Sequence, residues 1–357
     1  MEQKKEIQEK IIKNSDNEIS DEEFSNILRL VAPGTNLRTA LDGTLKTQKG
    51  ALIVVEKENL ISLIDGGFRI NTKFTSQKLI ELTKMDGAIV LSKDIKKINY
   101  ANVLLTPDHK IPTSETGTRH KAAERTAKQV GTLVIAISER KHEINLFYKN
   151  MKYPIIKTDE LLRKANEHMQ LLEKQRELFD NHVEKLNNLE IRNYPSLNQA
   201  IQLIQKGLLI QKIAENLVRY TIELGKESTL LKMRLREITK GVEKETDLVI
   251  KDYAQLGLKR SKTLLDDLSY DEILDIERIL EILGYEKTAP QTAPTKGWRI
   301  LSKTSLIESE IAMLIQEAGS LGKSIHSNLN FYIQILGEER AQTLKEELSK
   351  IKMNNFM

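Results

Sequence analysis

The sequence predicts an α/β domain over residues 21–150, followed by all-α sequence to the end of the chain. Three observations carry this. Short apolar runs rich in β-branched residues alternate with stretches of helical spacing up to Tyr148. From Pro154 to Pro290 only Pro195 interrupts a sequence dense in Leu, Glu, Lys and Gln. Thr288 to Thr295 then places two prolines among small residues, with helical sequence on both sides. The predicted organisation is a charged lead-in (1–20), the α/β domain (21–150), a helical spine (151–287), a linker (288–295) and a short all-α domain (296–357).

Taken in order, Asp21 is a candidate cap for a helix to about Val31, ended by Ala32-Pro33-Gly34. Leu37 to Thr47 predicts a second helix. Ala51 to Val55 and Leu60 to Ile64 read as adjacent strands, with Asp65-Gly66-Gly67 as the turn after them. Ser76 to Met85 has helical spacing. Ala88 to Leu91 and Ile98 to Leu105 read as strands. A polar loop leads into a helix from about Arg119 to Val130. Thr132 to Ile137 is the most apolar strand, and Glu143 to Tyr148 is expected to close the sheet. Beyond it, Leu162, Ala165, Met169, Leu172, Phe179, Val183 and Leu186 follow a near-heptad broken at Arg176, which predicts a long amphipathic helix. Ser196 to Leu224, Thr229 to Leu256 and Tyr270 to Leu283 predict three more, with Gly225, Gly257 and Gly284 at or near their ends. Three or four short helices are expected after Lys296.

Composition narrows the function classes. Of 357 residues, 39% are hydrophobic and 30% charged, enough for real cores. The net charge of +4 is slight for this length and does not by itself point to nucleic acid. There is no cysteine, which excludes disulfides and thiolate metal sites. No apolar run approaches the ~18 residues of a membrane span, and the charged N-terminus lacks an apolar secretory core. A cytoplasmic protein without membrane contact is the expectation.

Thr113 to Lys128 holds the strongest chemical signal. Six small or polar residues lead into Arg119-His120-Lys121 at a helix start. Free backbone N–H groups, the positive end of the helix dipole and three cation-capable side chains suit a polyphosphate. An ordinary helix start with a solvated basic turn has the same residues. Asp86-Gly87-Ala88, between a helix and a strand, places a carboxylate for a hard cation beside residues small enough for close approach; it also reads as a plain turn. No Walker-type GxxxxGK[ST] run or nucleophile elbow is present. His109, His142, His168, His182 and His326 lack metal-ligand spacing and read as surface residues.

Four blocks then occur in a telling order: Lys84 to Ser92 around the DGA element, Ser114 to His120, Ala123 to Gln129, and Leu133 to Arg140. With Val31-Ala-Pro-Gly-Thr35 and Phe68-Arg-Ile-Asn-Thr72, they resemble the diadenylate cyclase (DAC) family over residues 31–150. The helical and C-terminal regions are similar to members that add a spine and helix-hairpin-helix elements. The resemblance implies an α/β DAC domain with a mixed sheet flanked by helices, an all-α spine and a helix-hairpin-helix-like C-terminal domain. It implies a nucleotidyltransferase that joins two ATP into cyclic di-AMP with release of two pyrophosphates, needing Mg²⁺ or Mn²⁺. Two sites must face each other, so at least a homodimer is implied, and the family assembles as an octamer. Carried over by motif, Asp86 holds the metal and helps activate the attacking hydroxyl, with Arg119 and His120 as its catalytic partners. Gly87 lets the nucleotide sit close, Leu105 meets the adenine, and Thr118, Arg119, His120, Lys121, the backbone at Ala122 and Ser138 contact phosphate.

Two departures from the family pattern stand out. Lys121 replaces the third residue of Arg-His-Arg, keeping charge but losing the planar fork. At the C-terminal hairpin, Gly337 is present as the candidate DNA-binding residue, but Ile335 replaces the first glycine and Glu338 and Glu339 follow. The segment from Lys296 holds 8 Lys+Arg against 7 Asp+Glu, which disfavours tight binding of branched DNA. A DNA-structure-binding protein with a vestigial cyclase site and a non-catalytic nucleotide-binding oligomer remain the alternatives.

Overall fold

The computed structural model describes residues 19–286 and 294–354. Most of the expected lead-in and of the proline linker lies outside the described residues. The chain divides into two units, one reaching Lys164 and taking in Arg219–Leu230, the other holding Ala165–Val218 and Leu231 onward.

In the first unit, α1 (Asp21–Leu30) is capped by Ser20 rather than Asp21. Ser20 Oγ accepts from the Glu23 N–H, and the Glu23 carboxylate accepts from the Ser20 N–H. α2 (Asn36–Lys46) starts on a Thr35 cap and leads to β1 (Ala51–Val55). The Leu60–Ile64 run is not the expected strand. Glu58–Leu63 forms a 3₁₀-helix, and only Ile64–Asp65 is extended, as β2. The cause is a burial period of three: Leu60 and Leu63 point inward while Ile61 is 59% exposed. β3 (Phe68–Lys73), α3 (Ser76–Leu82), β4 (Ala88–Leu91), β5 (Lys97–Leu105), α4 (Thr118–Val130), β6 (Val134–Ser138), β7 (Glu143–Tyr148) and β8 (Met151–Pro154) follow. β8, not β7, therefore forms the margin of the sheet.

The sheet order is β2-β5-β4-β1-β6-β7-β8, with β3 also on β5. β2 thus pairs with β5 and is not adjacent to β1. β1 and β4 run parallel, while the other pairs are antiparallel, which makes the sheet mixed. One face buries Ile53, Ile89 and Ile135 against Leu41 and Leu79 from α2 and α3. The other buries Val54, Val90 and Ala136 against Ala123 and Ala127 of α4. Those alanines, one turn apart on the helix, let α4 lie close to the strands. Each fully buried Ile or Val on these faces contributes roughly 1.5–3 kcal/mol.

In the helical sequence, α5 (Thr158–Ile191) and α6 (Leu197–Leu224) come close to their expected spans. α5 is continuous through Arg176. The heptad breaks there because the Arg176 guanidinium donates to the carbonyls of Ile238 and Lys240, each at 2.8 Å, at the end of the helix that stops at Thr239. The expected Thr229–Leu256 helix is two, α7 (Thr229–Thr239) and α8 (Val242–Tyr253), parted by Gly241 at φ +78°. Gly257 opens α9 (Leu258–Asp266) rather than closing a helix. Asp275 splits the next helix into α10 (Tyr270–Leu274) and α11 (Ile276–Ile282) by accepting the Glu277 N–H. Among the described residues the end of the chain forms five helices, not three or four: α12 (Trp298–Leu301), α13 (Glu308–Ala318), α14 (Leu321–His326), α15 (Leu329–Leu336) and α16 (Glu338–Asn354). They share a core of Ile300, Leu314, Leu321, Tyr332 and Leu344 that also takes in Ile191 of α5.

Candidate active site

α4 begins on Gly117, which has no side chain to cap it. The first N–H groups of the helix are thereby left without a side-chain acceptor, and the dipole points its positive end outward. Lys121 N–H donates to the Gly117 carbonyl at 2.8 Å, so Lys121 offers its ammonium. Ala122, one turn in, has its N–H within the helical ladder and offers a half-buried methyl.

The approach to this helix start is held from α4 itself. Glu124 accepts from Thr113 Oγ1 at 2.5 Å and from the Ser114 N–H at 3.1 Å. Arg125 donates to the Ile111 carbonyl and Lys128 to that of Pro112. Burial pushes the Glu124 carboxyl up, but the hydrogen bonds from Lys128, Thr113 and Ser114 outweigh it and hold it below the usual carboxylate range. One helix thus fixes the loop that its own N-terminus needs.

The strand register sets the remaining groups. Leu52 of β1 lies opposite Ala88 of β4, and Ala51 lies opposite Ile137 of β6. Ser138 thus ends β6 beside Gly50 at the start of β1, and Asp86 lies in the bend two residues before β4. The Arg119 guanidinium lies over Gly50: a methyl group there would overlap Nη1 and sit 3.1 Å from Cζ. The same Cβ would come within 3.1 Å of the Ile137 carbonyl, so the Arg119 head lies where β1 and β6 adjoin.

Asp86 is exposed and makes no hydrogen bond to any described residue. Gly87 is at φ +84°, and a Cβ there would meet the Asn102 backbone at 2.8 Å. Its first requirement is internal, against an irregular stretch of β5 where Asn102 itself has φ +53°. Thr118 is exposed. His120 is half-buried, with its ring edge-on to Phe147 at 6.4 Å between centroids. Burial holds its pKa below the usual histidine range; Glu115 opposes this, and Lys152, Arg119 and Lys141 add to it. Of the three cation-capable residues, His120 is thus neutral near pH 7. Ser138 Oγ accepts the Lys141 N–H at 3.3 Å and keeps its proton to donate. Leu105 is 7% exposed, packs in the core and pairs with Ile64 of β2. Gly337 is in the other unit, at the joint of α15 and α16, followed by exposed Glu338 and Glu339.

Sequence reasoning missed Gly50, Asn102 and the Glu124 clamp. Glycine directly before an apolar strand was the visible signal for the first. Glu124, Arg125 and Lys128 lie in a block that carries the family resemblance, but their loop partners are visible only in the fold.

An α/β sheet carrying an uncapped helix start suits a nucleotide's phosphates, and the chain's similarity to known proteins makes it a nucleotide-binding enzyme of the diadenylate cyclase class. The family described as "DisA bacterial checkpoint controller nucleotide-binding" matches residues 38–152, and "DisA bacterial checkpoint controller linker region" matches residues 156–292. The DNA integrity scanning protein DisA of Acetivibrio thermocellus is 38% identical over 347 residues, covering 94% of this chain and 96% of its own. That of Carboxydothermus hydrogenoformans is 38% identical over 345 residues, covering 94% and 98%. A double-mutant DacA from Staphylococcus aureus is similar over 34% of this chain and 85% of its own, at 24% identity and a TM-score of 0.29. The chain belongs to the DisA family.

Enzymes of this class work with a divalent metal. The described residues hold no cluster of three His, Asp or Glu that could enclose one. A lone exposed carboxylate fits a hard cation that takes its other oxygens from water and substrate phosphates. No helix among the described residues is long and apolar enough to cross a membrane.

Proposed function

We propose that this chain condenses two ATP molecules into cyclic di-AMP, with Asp86, Arg119 and His120 as its catalytic residues. The 3′-hydroxyl oxygen of each ATP attacks the α-phosphorus of the other. A P–O bond forms, the bond to the bridging oxygen of the β-phosphate breaks, and pyrophosphate leaves. Asp86 helps activate the hydroxyl by taking its proton and would hold Mg²⁺ or Mn²⁺, which when bound would neutralise phosphate charge. Thr118, Arg119, Lys121 and the start of α4 grip the phosphates. Neutral His120 donates one hydrogen bond there, and Ser138 donates from the neighbouring strand. The nucleotide lies over Gly87 with its base toward Leu105, and Ala122 shapes the rim.

The observation that carries this reading is the uncapped start of α4, with the Arg119 guanidinium lying against Gly50 where β1 adjoins β6. One nucleotide per protomer requires two sites face to face, hence a homo-oligomer, at least a dimer and an octamer by family resemblance. Residues 21–150 act as the cyclase domain, 151–287 as the spine and 296–357 as a domain that retains the hairpin fold. DNA contact through Gly337 is weak, because Glu338 and Glu339 stand where a DNA phosphate would dock.

Incubation with ATP and Mg²⁺ or Mn²⁺, followed by mass spectrometry, tests the reading. Cyclic di-AMP is expected from the wild-type protein and none from Asp86→Asn. Equal product from both would remove Asp86 from the mechanism.

A further inference from the structure

We propose that Gly50 is a positioning residue for Arg119: its missing side chain is the seat in which the guanidinium lies. Gly50 is buried immediately before β1. A Cβ built there would overlap Arg119 Nη1, approach Cζ to 3.1 Å and come within 3.1 Å of the Ile137 carbonyl. Strand β6 and its carbonyl are fixed by the ladder with β1, where Ala51 pairs with Ile137. The flexible arginine head is therefore what yields. Its φ is not in the left-handed region, so its backbone conformation alone does not call for glycine. The neighbouring turn points the same way: Gln48 takes φ +57°, and Lys49 reaches the Lys84 carbonyl at 3.5 Å, two residues before Asp86. The segment from Gln48 to Gly50 thus spaces the phosphate-gripping guanidinium from the carboxylate loop.

A methyl group at residue 50 would leave the fold intact and push the Arg119 head off its seat where β1 adjoins β6. Charge-assisted hydrogen bonds depend on geometry, so displacement rather than removal is enough to lose them. This inference rests on the reading of Arg119 as a phosphate ligand.

The test is a double-mutant cycle read by ATP affinity, with thermal unfolding alongside. Gly50→Ala is expected to weaken ATP binding roughly tenfold with an unchanged unfolding midpoint. In an Arg119→Ala background the same change is expected to cost nothing further, because the group it displaces is gone. An undiminished affinity in Gly50→Ala, or an equal loss in both backgrounds, overturns the proposal while leaving Arg119 as a ligand. If Arg119→Ala alone binds ATP as well as the wild type, the reading of Arg119 falls and this inference with it. A lowered unfolding midpoint in Gly50→Ala that accounts for the lost affinity also overturns it, since the glycine would then serve the fold.

Discussion

Single atoms decide the candidate site. Gly87 is required before any ligand arrives, because its φ of +84° and the Asn102 backbone 2.8 Å from a would-be Cβ exclude every other residue. Gly87→Ala is expected to cost about 1–2 kcal/mol for the left-handed backbone alone, more with the clash, and to displace Asp86. A lowered unfolding midpoint together with lost cyclase activity checks this. His120 works in the opposite sense to its appearance in the sequence. As part of Arg-His-Lys it reads as a third cation, yet burial against Phe147 keeps the ring neutral near pH 7. The site therefore pairs the Arg119 and Lys121 side chains with one neutral donor, which limits repulsion among them when no phosphate is present.

At the level of elements, legibility followed burial. β1, β4 and β6 were visible because all but their last residues are buried, or all of them in β4, and apolar β-branched runs mark such strands. β3 and β8 were not, because alternate or most residues stay exposed and Phe68-Arg-Ile-Asn-Thr-Lys73 or Met151-Lys-Tyr-Pro154 carries little apolar signal. The phosphate loop and Asp86 were legible as chemistry. Gly50 was not, since its partner is on α4 and only the register brings them together. In the second unit, α12 is fixed by a carboxylate invisible to pattern reading. Buried Asp252 of α8 accepts the N–H groups of Gly297, Trp298 and Arg299 at 2.7–2.9 Å. Buried Arg299 pairs with Glu190 of α5 and with Glu245 of α8. Burial first and Glu190 second raise the Asp252 pKa from 3.8 to about 6. A raised carboxyl binds its proton more tightly when folded, so its contribution is full below about pH 4 and is lost as pH rises through 6. The unfolding midpoint of the wild type relative to Asp252→Asn is expected to fall across that window and to be flat above it. A difference that rises or stays constant from pH 4 to 6 would contradict the assignment.

For the whole molecule, charge distribution separates the two ends of the chain. The nucleotide end gathers Arg119, Lys121 and an uncapped helix start. At the C-terminal hairpin, Glu338 and Glu339 occupy the corresponding helix start, and Arg340 is paired with Glu310 at 3.1 Å. Negative charge there stabilises α16 through its dipole and repels phosphate by the same field. A gel shift on branched DNA is expected to be weak and nearly flat with salt. Tight binding that falls steeply as salt rises would show that phosphates are neutralised there after all. The relatives named for DNA integrity scanning make this the measurement that separates family membership from shared regulation.

The sole tryptophan of the chain, Trp298, sits at the seat of α12. Its backbone N–H is on Asp252, and the Lys251 ammonium lies 3.3 Å from its ring centroid. Light absorbed selectively by indole is therefore emitted from one place only. A cation that close polarises the excited ring, so the colour and yield of the emission depend on whether Lys251 holds its position. The protein carries an intrinsic optical gauge of how α8 holds α12, and no dye or added label is needed to read it.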